Sequence, residues 1–377
     1  MAGIYLHIPF CKSKCPYCNF FSVASIKYRD DFLAALGIEI SLNQNYLKGQ
    51  TVNTIYFGGG TPSLLEPHEI SSILDALHRQ YPVDRDAEIT LEANPDDVTA
   101  SKLEEWKGLG INRLSIGVQS FFDEDLRYLS RVHDGKQSEK AVRLSQEKGF
   151  VNLSVDFIYG MPVLTDQHLE KNLEMAVNMG IPHISAYSLT IEPKTAMDIL
   201  IRKNKMQGPD EEKVAGQFMF VMQFLAGCSY EHYEISNFCL PGMYSKHNSA
   251  YWKGGHYLGL GPSAHSYNGN SRQWNIENMI QYTSLINSQK TYFETEELTA
   301  VQKYNEYIMT SLRTKWGISL AKIRQDFGEE IVSRFRSDVT LYISKGEIEE
   351  SGGIYTLTGK GKLFADGIST GLFLDND

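Results

Sequence analysis

The sequence predicts an α/β protein: a partial, TIM-like (β/α)6 barrel followed by a C-terminal winged-helix-like α+β domain. Three observations support this prediction. Short apolar segments alternate with longer amphipathic stretches along the first part of the chain, as strands alternate with helices in α/β folds. Six such units occur, fewer than the eight of a closed barrel. Near the C-terminus, three helical patterns precede a hairpin pattern.

The barrel strands are predicted from apolar runs that end at Gly, Pro or polar residues. They are Ile4–Ile8, Thr54–Phe57, Glu88–Glu92, Arg113–Val118, Asn152–Phe157 and Ile184–Leu189. Helical periodicity between them predicts helices at Arg29–Leu42, Pro67–Gln80, Thr99–Leu109, Lys136–Lys148 and Asp166–Asn178. Thr99 is a suitable N-cap, and Gly110 is typical of a helix end. Ligands are expected at the carboxyl ends of the strands, which share one mouth.

Changes of pattern along the chain divide it into three regions. Residues 1–225 carry the barrel pattern, and residues 226–298 form an aromatic, Gly-rich bridging region that is expected to complete the core. Residues 299–377 form the winged-helix-like domain. Its predicted elements are helices at 300–314, 319–327 and 331–345 and a hairpin of 347–350 with 354–357.

Charge and hydropathy exclude several classes of protein. The chain has 36 Lys and Arg against 46 Asp and Glu, a net charge of −10, which is the wrong sign for binding a phosphate backbone. The winged-helix-like domain likewise lacks a basic stripe, so a role in packing or partner binding is favoured over DNA binding. No apolar run is long enough for a membrane span, and no signal peptide is recognisable. We therefore expect a cytoplasmic protein and leave open a peripheral contact with a membrane.

Three of the five cysteines, Cys11, Cys15 and Cys18, lie within eight residues on the loop after the first strand. In a reducing compartment such clustering indicates a metal site more than a disulfide. Thiolates bind iron–sulfur clusters and zinc, and three thiolates on a four-iron cubane would leave one iron open. The alternative is a zinc site with a distant fourth ligand, such as His7, Cys228 or Cys239.

Seven sequence blocks resemble a known superfamily. In order along the chain they are IYLHIPFCKSKCPYCNF, IYFGGGTPS, EANPDD, RLSIGVQSF, VDFIYGMP, HNSAYW and YLGLGPSAHS. They resemble the radical S-adenosylmethionine (SAM) superfamily and, within it, the group of oxygen-independent coproporphyrinogen III oxidases and heme chaperones. The resemblance covers nearly the whole chain. It implies a [4Fe-4S] cluster held by Cys11, Cys15 and Cys18, with SAM as a cofactor that the cluster cleaves.

The resemblance also implies a set of SAM contacts. Gly59 and Gly60 would let backbone amides approach the methionine end of SAM, Arg131 would pair with a carboxylate, and Asp156 would hold ribose hydroxyls. Glu92 is a carboxylate at the end of a buried strand, where it requires a partner. For each residue a role in the core or rim is the alternative. The full set is Tyr5, Tyr17, Gly59, Gly60, Thr61, Pro62, Glu92, Gln119, Arg131, Asp156 and Tyr187, and no catalytic side chain is assigned beyond the cluster ligands.

Two departures separate the chain from the oxidases. Phe20 stands where the oxidases carry a further cysteine, and only ten residues precede Cys11. Both favour the heme-chaperone branch, in which the HNSAYW block is expected to bind heme through His247. Tyr251 and Trp252 would flank the porphyrin. We expect this site to be separate from the cysteines; the alternative is that His247 only packs.

The predicted function is therefore to bind heme as cargo and deliver it to heme-requiring membrane or respiratory proteins. The alternative is an oxygen-independent coproporphyrinogen III oxidase of porphyrin biosynthesis, which decarboxylates its substrate to protoporphyrinogen IX. An electron donor is an expected partner, and nucleic acid is not. Whether the chain is an enzyme, whether it binds one or two SAM molecules and whether it forms a homodimer stay open.

Overall fold

The computed structural model describes residues 2–375 and contains a partial barrel. Six parallel strands, paired in chain order, form its wall. They are β1 (Ala2–Ile8), β2 (Val52–Gly59), β3 (Val83–Ala93), β4 (Arg113–Gln119), β5 (Asn152–Tyr159) and β6 (His183–Ser188). Each overlaps one of the strands predicted from the sequence, so the predicted α/β fold class is confirmed.

Alternate residues of these strands face opposite sides of the wall. In β1, Ile4 and Leu6 are fully buried in the apolar core, whereas Tyr5 and His7 line a cavity inside the barrel. The strands are therefore buried on both faces, as is typical of parallel sheets. Polar residues at the inward positions are thereby held out of bulk water and close to one another.

Helices cover the outer face of the barrel. They are α1 (Arg29–Leu42), α2 (Pro67–Gln80), α3 (Ala100–Gly108), α4 (Asp123–Tyr128), α5 (Gly135–Glu147), α6 (Asp166–Asn178), α7 (Ala196–Arg202) and α8 (Glu211–Gly227), with short 3-10 turns at Pro62–Leu64 and Pro95–Asp97. Thr99 caps α3 by accepting a hydrogen bond from the Lys102 amide at 3.3 Å. Gly110, just beyond α3, has a φ of +88°. Both end signals of this helix are as predicted.

The region after α8 extends both edges of the barrel sheet. It contains β7 (Glu231–Glu234), β8 (Asn237–Cys239), α9 (Lys246–Trp252), β9 (His256–Leu260), β10 (His265–Tyr267), β11 (Ser271–Asn275), α10 (Met279–Asn287) and β12 (Phe293–Glu297). Strand β9 pairs in parallel with β1, and β8 pairs antiparallel with β6. The sheet order is β12-β11-β10-β9-β1-β2-β3-β4-β5-β6-β8-β7. The βα pattern did not reveal these strands because they are only three to five residues long and do not alternate regularly with helices.

A buried carboxylate ties this extension to the barrel. Glu39 of α1 is fully buried, and it accepts hydrogen bonds from the Gly261 amide at 2.7 Å, from Asn275 Nδ2 at 2.6 Å and from the Tyr282 hydroxyl. Burial raises the pKa of Glu39 to about 7, although these three donors oppose the shift. Residues from β9 to α10 are therefore fixed to α1 by one polar cluster.

The C-terminal elements have a second apolar core and their own sheet. They are α11 (Ala300–Leu312), β13 (Ile318–Ser319), α12 (Leu320–Phe327), α13 (Glu329–Ser344), β14 (Ile348–Ser351), β15 (Ile354–Leu357), α14 (Gly359–Lys362) and α15 (Ala365–Gly371). The predicted hairpin is present, with positive φ at Gly352 and Gly353. Helix, strand, helix, helix and hairpin follow one another in winged-helix order. Within residues 2–375, no helix is long and apolar enough to cross a membrane.

Candidate functional site

A cavity of about 440 Å³ opens at the carboxyl ends of the barrel strands. We name it the cysteine cavity because Cys11, Cys15 and Cys18 line it. It also brings together almost all the other residues predicted to contact SAM, namely Tyr17, Gly59, Gly60, Thr61, Pro62, Glu92, Gln119, Arg131, Asp156 and Tyr187. These residues come from all six strand ends and the loops that follow them. For these residues, the fold therefore agrees with the prediction that they share one mouth of the barrel.

The cysteine loop is held in place by backbone hydrogen bonds. The Cys11 amide donates to the Val23 carbonyl at 3.1 Å, and the Cys18 amide donates to the Cys15 carbonyl at 3.1 Å. The Met197 amide of α7 donates to the Pro16 carbonyl at 2.9 Å, which fixes the loop from outside. The three thiols therefore occupy defined positions around the cavity.

The thiols meet polar groups and have no disulfide partner. The Thr61 hydroxyl lies 3.6 Å from Cys11 Sγ, and Arg131 Nη1 lies 3.5 Å from Cys15 Sγ. Burial raises the pKa of Cys11 and of Cys18, although at Cys11 the Thr61 hydroxyl and the charge of Arg131 oppose the shift. In the part of the chain that the structure describes, no three His, Cys, Asp or Glu side chains converge on a single ion position.

The cysteines named in the zinc alternative lie elsewhere. Cys228 follows α8, and Cys239 is fully buried in β8. Burial raises the pKa of Cys239 to about 12, and this thiol does not line the cysteine cavity. His7 lies in β1, where its Nε2 is 2.8 Å from the Phe21 carbonyl. None of the three is placed as a fourth ligand.

The Gly-rich turn after β2 lines the cavity, but its amides are engaged within the protein. The Gly60 amide donates to the Ile8 carbonyl at 2.8 Å, and the Thr61 amide donates to the Phe10 carbonyl at 2.7 Å. A Cβ on Gly60 would lie 2.6 Å from the Phe10 carbonyl oxygen. The expectation that these glycines expose amides to a ligand is therefore wrong for Gly60. This glycine is required because β1 and the turn approach so closely.

Two partly buried carboxylates line the inner wall of the cavity. Glu92 accepts a hydrogen bond from the Tyr56 hydroxyl at 2.8 Å, which is the partner its burial requires. Burial, together with the charge of Asp156, raises the pKa of Glu92 to about 7. Burial also raises the pKa of Asp156 to about 6, although the Ser185 and Ser115 hydroxyls oppose the shift. Both carboxylates are in an environment that favours binding polar ligand groups.

Arg131 provides a buried cation for the same cavity. Its Nη2 donates to Asn94 Oδ1 at 2.6 Å and to the Gly117 carbonyl at 3.1 Å. Its Nε is buried and has no hydrogen-bond partner in residues 2–375. Gln119, next to it, has a φ of +65°, a strained conformation of the kind that clusters at functional sites. The guanidinium therefore retains a free donor beside the thiols.

A second cavity, of about 780 Å³, occupies the open side of the barrel. We name it the lateral cavity; its walls come from β1 and β2, from β6 to β8, from α9 to β11, and from the end of α11. Tyr5 lies here, with its hydroxyl 3.2 Å from His7 Nδ1. The prediction that Tyr5 shares the cysteine mouth is therefore wrong, because the face of β1 that carries Tyr5 and His7 borders the lateral cavity.

His247, Tyr251 and Trp252 of α9 also line the lateral cavity. His247 Nδ1 lies 2.8 Å from Thr54 Oγ1, and the imidazole packs 5.0 Å from the Tyr56 ring, measured between centroids. Burial lowers the pKa of His247 to about 4, so the ring is neutral at pH 7. The hydrogen bond at Nδ1 orients the ring, and in the tautomer that carries its proton on Nδ1 the Nε2 lone pair is available to a metal.

The two cavities adjoin each other. Asn19, Phe20, Glu92 and Tyr187 line both of them. The Phe20 side chain is 66% exposed, unusual for a large apolar residue. The candidate heme site is a cavity of its own, as expected from the sequence, but it shares a wall with the cysteine cavity.

Comparisons with known proteins identify the family. The model of the radical SAM superfamily matches residues 5–176, and that of the HemN C-terminal domain matches residues 298–364. The heme chaperone HemW of Bacillus subtilis is 36% identical over 371 residues, covering 97% of each chain. The chain belongs to the HemW family of radical SAM proteins.

Further comparisons agree with this family. HemW of Escherichia coli is 38% identical over 268 residues, 70% of this chain and 69% of its own length. The fold resembles that of coproporphyrinogen III oxidase (HemN) from Escherichia coli, with a TM-score of 0.85, 24% identity, and coverage of 99% of this chain and 90% of that one. That similarity shows the fold alone.

Several residues of this HemW-family site were missed by sequence reasoning. Tyr56 and Thr54, the partners of Glu92 and His247, alternate along β2 with apolar residues. This alternation could have identified both residues from the sequence, because polar residues at every second position of a buried strand face the interior. Asn94, the acceptor for Arg131, gave no signal because the two meet only in the folded chain.

Proposed function

We propose that this protein binds heme as cargo and delivers it to heme-requiring proteins, and that it carries a [4Fe-4S] cluster and SAM in the cysteine cavity. The observation that carries the proposal is similarity along the whole chain to proteins named heme chaperones. The lateral cavity supports it, because it combines a neutral histidine with aromatic side chains.

In the proposed arrangement, Cys11, Cys15 and Cys18 would hold the cluster, which would supply one-electron chemistry to bound SAM. The Arg131 guanidinium would offset the negative charge of the thiolates, and it is the cation of the cavity that suits the carboxylate of SAM. Glu92 and Asp156 accept hydrogen bonds from ammonium or hydroxyl groups. Because the turn amides are engaged, backbone contacts from Gly59, Gly60, Thr61 and Pro62 would use carbonyl oxygens.

Tyr17, Gln119 and Tyr187 complete the proposed SAM contacts from the rim of the cavity. Tyr187 is 42% exposed and lies between the two cavities, so it can contact a ligand in either one. Tyr5 lines the adjoining lateral cavity instead. One or two SAM molecules are compatible with the proposal.

His247 is the proposed ligand for the iron of the cargo heme. Thr54 holds its Nδ1 at 2.8 Å, which fixes the ring and leaves Nε2 for iron. Tyr251 and Trp252, whose ring centroids lie 5.1 Å apart, provide apolar surface for a porphyrin. The same α9 helix thus supplies both the ligand and the packing surface.

We further propose three functional units with the boundaries 1–225, 226–298 and 299–377. The first would hold the cluster, the second would supply α9 for heme, and the third would contact acceptor proteins. The acceptors would be heme-requiring membrane or respiratory proteins, and a separate protein would supply electrons. Pairing of two copies is compatible with this assignment.

A titration of anaerobically reconstituted protein with heme tests the proposal. We expect stoichiometric binding with a defined Soret band, and transfer of heme to a heme-free acceptor protein. His247→Ala should shift or weaken the Soret band while leaving iron and sulfide content unchanged. A Soret band and affinity identical to wild type would show that His247 only packs. Absence of heme binding by the wild-type protein would refute the function.

The same preparation distinguishes the chaperone from an oxidase. Phe20 in place of the additional cysteine argues against coproporphyrinogen oxidation, and the curated relatives reported above are heme chaperones. With SAM, reductant and coproporphyrinogen III, we expect no multiple-turnover formation of protoporphyrinogen by mass spectrometry. Repeated turnover would favour the oxidase, whereas cleavage of SAM alone is compatible with a chaperone.

A further inference from the structure

Two arginines line the lateral cavity together with His247. Arg272 lies on β11, and Arg313 directly follows α11. Their side chains are 29% and 24% exposed, respectively. Both are thus partly withdrawn from water but accessible from the cavity. They come from the bridging region and the C-terminal domain, far apart in sequence.

Both guanidinium groups retain unused donors. Arg272 Nη2 pairs with Glu306 at 2.9 Å, while its Nε is buried and has no hydrogen-bond partner among residues 2–375. Arg313 uses Nε for Glu234 at 3.3 Å and Nη1 for Asp366 at 3.0 Å. Since a guanidinium has five N–H donors, each side chain can accommodate another acceptor without losing its present partners. An unpaired buried donor is unfavourable and is relieved by an acceptor.

Arg313 is joined to the helix that carries His247. Its Cζ lies 5.4 Å from the centroid of the Trp252 ring, within the range of a cation–π contact. Trp252 in turn packs against Tyr251, and Tyr251 packs against Tyr257 of β9 at 5.4 Å. A positive group therefore lies at the edge of the aromatic surface proposed for the porphyrin.

The carboxylates that line the lateral cavity do not neutralise the positive charge of the two arginines. Glu234 is satisfied by Arg313, by Asn237 Nδ2 at 2.6 Å and by the Ser236 amide at 3.0 Å. Glu277 also lines the cavity but is solvent-exposed, so water screens its charge. Glu92 lies on the wall shared with the cysteine cavity, where it accepts a hydrogen bond from the Tyr56 hydroxyl at 2.8 Å. The cavity thus combines a neutral imidazole, aromatic rings and two arginines with spare donors.

This combination matches the chemistry of heme, whose flat apolar ring carries two propionate carboxylates on one edge. Arginine is the side chain best suited to bind carboxylates through paired N–H donors. We propose that Arg272 and Arg313 form a carboxylate-recognition subsite that takes the heme propionates. The assignment rests on the proposed function, because it requires that heme is the cargo of the lateral cavity.

Wild-type protein provides the first test. It is titrated separately with heme and with the heme dimethyl ester, in which both propionates are blocked, and the Soret band is followed. Loss of charge-assisted hydrogen bonds should weaken binding of the ester by about tenfold or more. Equal affinity for the two ligands would overturn the subsite. Failure to bind either ligand would instead refute the proposed function.

Variants provide the second test. Arg272→Gln and Arg313→Gln should each lower the affinity for heme about tenfold and leave the affinity for the dimethyl ester unchanged. Arg324→Gln is the matched control, because Arg324 pairs with Glu329 on the surface of the C-terminal domain. His247→Ala should alter the Soret band with both ligands. An equal loss for heme and ester in both arginine variants would show a packing role and overturn the proposal.

Arg313→Gln leaves Glu234 without its cation, and the side chain of Glu234 is only 2% exposed. If this variant fails to fold, the double variant Glu234→Gln with Arg313→Gln replaces it, since a neutral amide removes the unpaired buried charge. The ratio of heme to ester affinity remains the decisive measurement. A ratio as large as in wild type would contradict a role for Arg313.

Discussion

The cysteine cavity and the lateral cavity adjoin but differ in composition and origin. The cysteine cavity is lined by residues between positions 11 and 190, from consecutive strand ends. It contains the cation of Arg131 and the carboxylates of Glu92 and Asp156. The lateral cavity draws on residues from position 3 to position 313 and shares Glu92 with the cysteine cavity. It combines a neutral imidazole and aromatic rings with two arginines and the carboxylates of Glu234 and Glu277.

The difference in composition indicates different ligands. Charges of both signs at fixed positions suit a small zwitterionic molecule such as SAM. A neutral imidazole beside aromatic rings, with cations at one edge, suits a flat apolar molecule with acidic groups. Because the two cavities are lined largely by different segments of the chain, a substitution can disturb one cavity and leave the other intact. The following experiments use this separation.

The largest effect is expected from the cysteines. Cys11→Ala, Cys15→Ala and Cys18→Ala should each abolish the cluster, because three thiolates of one loop hold the cubane. Iron and sulfide analysis after anaerobic reconstitution should fall from about four of each per chain to near zero. Heme binding should persist, since His247 lies in the other cavity.

Cys228→Ala is the control for the cysteine variants, because Cys228 follows α8 and lies outside the cysteine cavity. It should retain full iron content. Loss of the cluster in this variant, or zinc found in place of iron, would contradict the proposed ligand set.

The next largest effect concerns Glu39, which fixes the extension to the barrel. Its folded pKa of about 7 exceeds the ordinary 4.5, so the folded state binds the proton more tightly. The stabilising contribution is complete below pH 4.5 and is lost as pH rises to 7, by about 3 kcal/mol in the free energy of unfolding. Glu39→Gln should remove this dependence. Chemical denaturation of both proteins at several pH values measures it, and parallel pH profiles would refute it.

Asp156→Asn tests whether SAM and heme bind in different cavities. An amide cannot accept hydrogen bonds at both positions as a carboxylate does, so SAM affinity should fall about tenfold or more. Heme affinity should stay unchanged. Equilibrium binding of SAM measures the effect, with Asp84→Asn at the amino end of β3 as the control. A comparable loss in the control, or none in Asp156→Asn, would exclude this role.

The smallest effect is expected at Gly3. A Cβ there would lie 2.7 Å from Thr54 Oγ1 and 3.2 Å from His247 Cε1, so Gly3→Ala should displace the imidazole and weaken heme binding a few-fold. Gly37→Ala in α1 is the matched control, because its Cβ would meet nothing within 4 Å. SAM binding should not change in either variant. Unaltered heme spectra in Gly3→Ala would show that the position of His247 is not critical.

Sequence motifs predicted the barrel, the hairpin and nearly all of the cysteine cavity. Each motif, such as the cysteine loop or the turn around Gly60, is local, and parallel strands bring consecutive strand ends to one mouth. A residue's place in its motif therefore nearly determined its place in space. Tyr5 was the exception, since its face of β1 borders the lateral cavity.

The lateral cavity depended on tertiary structure. The short strands β7 to β12 carry no pattern that specifies their partners, so their pairing with β1 and β6 could not be read from the sequence. The HNSAYW block singled out His247, but neither its partner Thr54 nor Arg272 and Arg313 of the same cavity. Such contacts are set by long-range packing, because residues hundreds of positions apart meet only when the strands have found their neighbours.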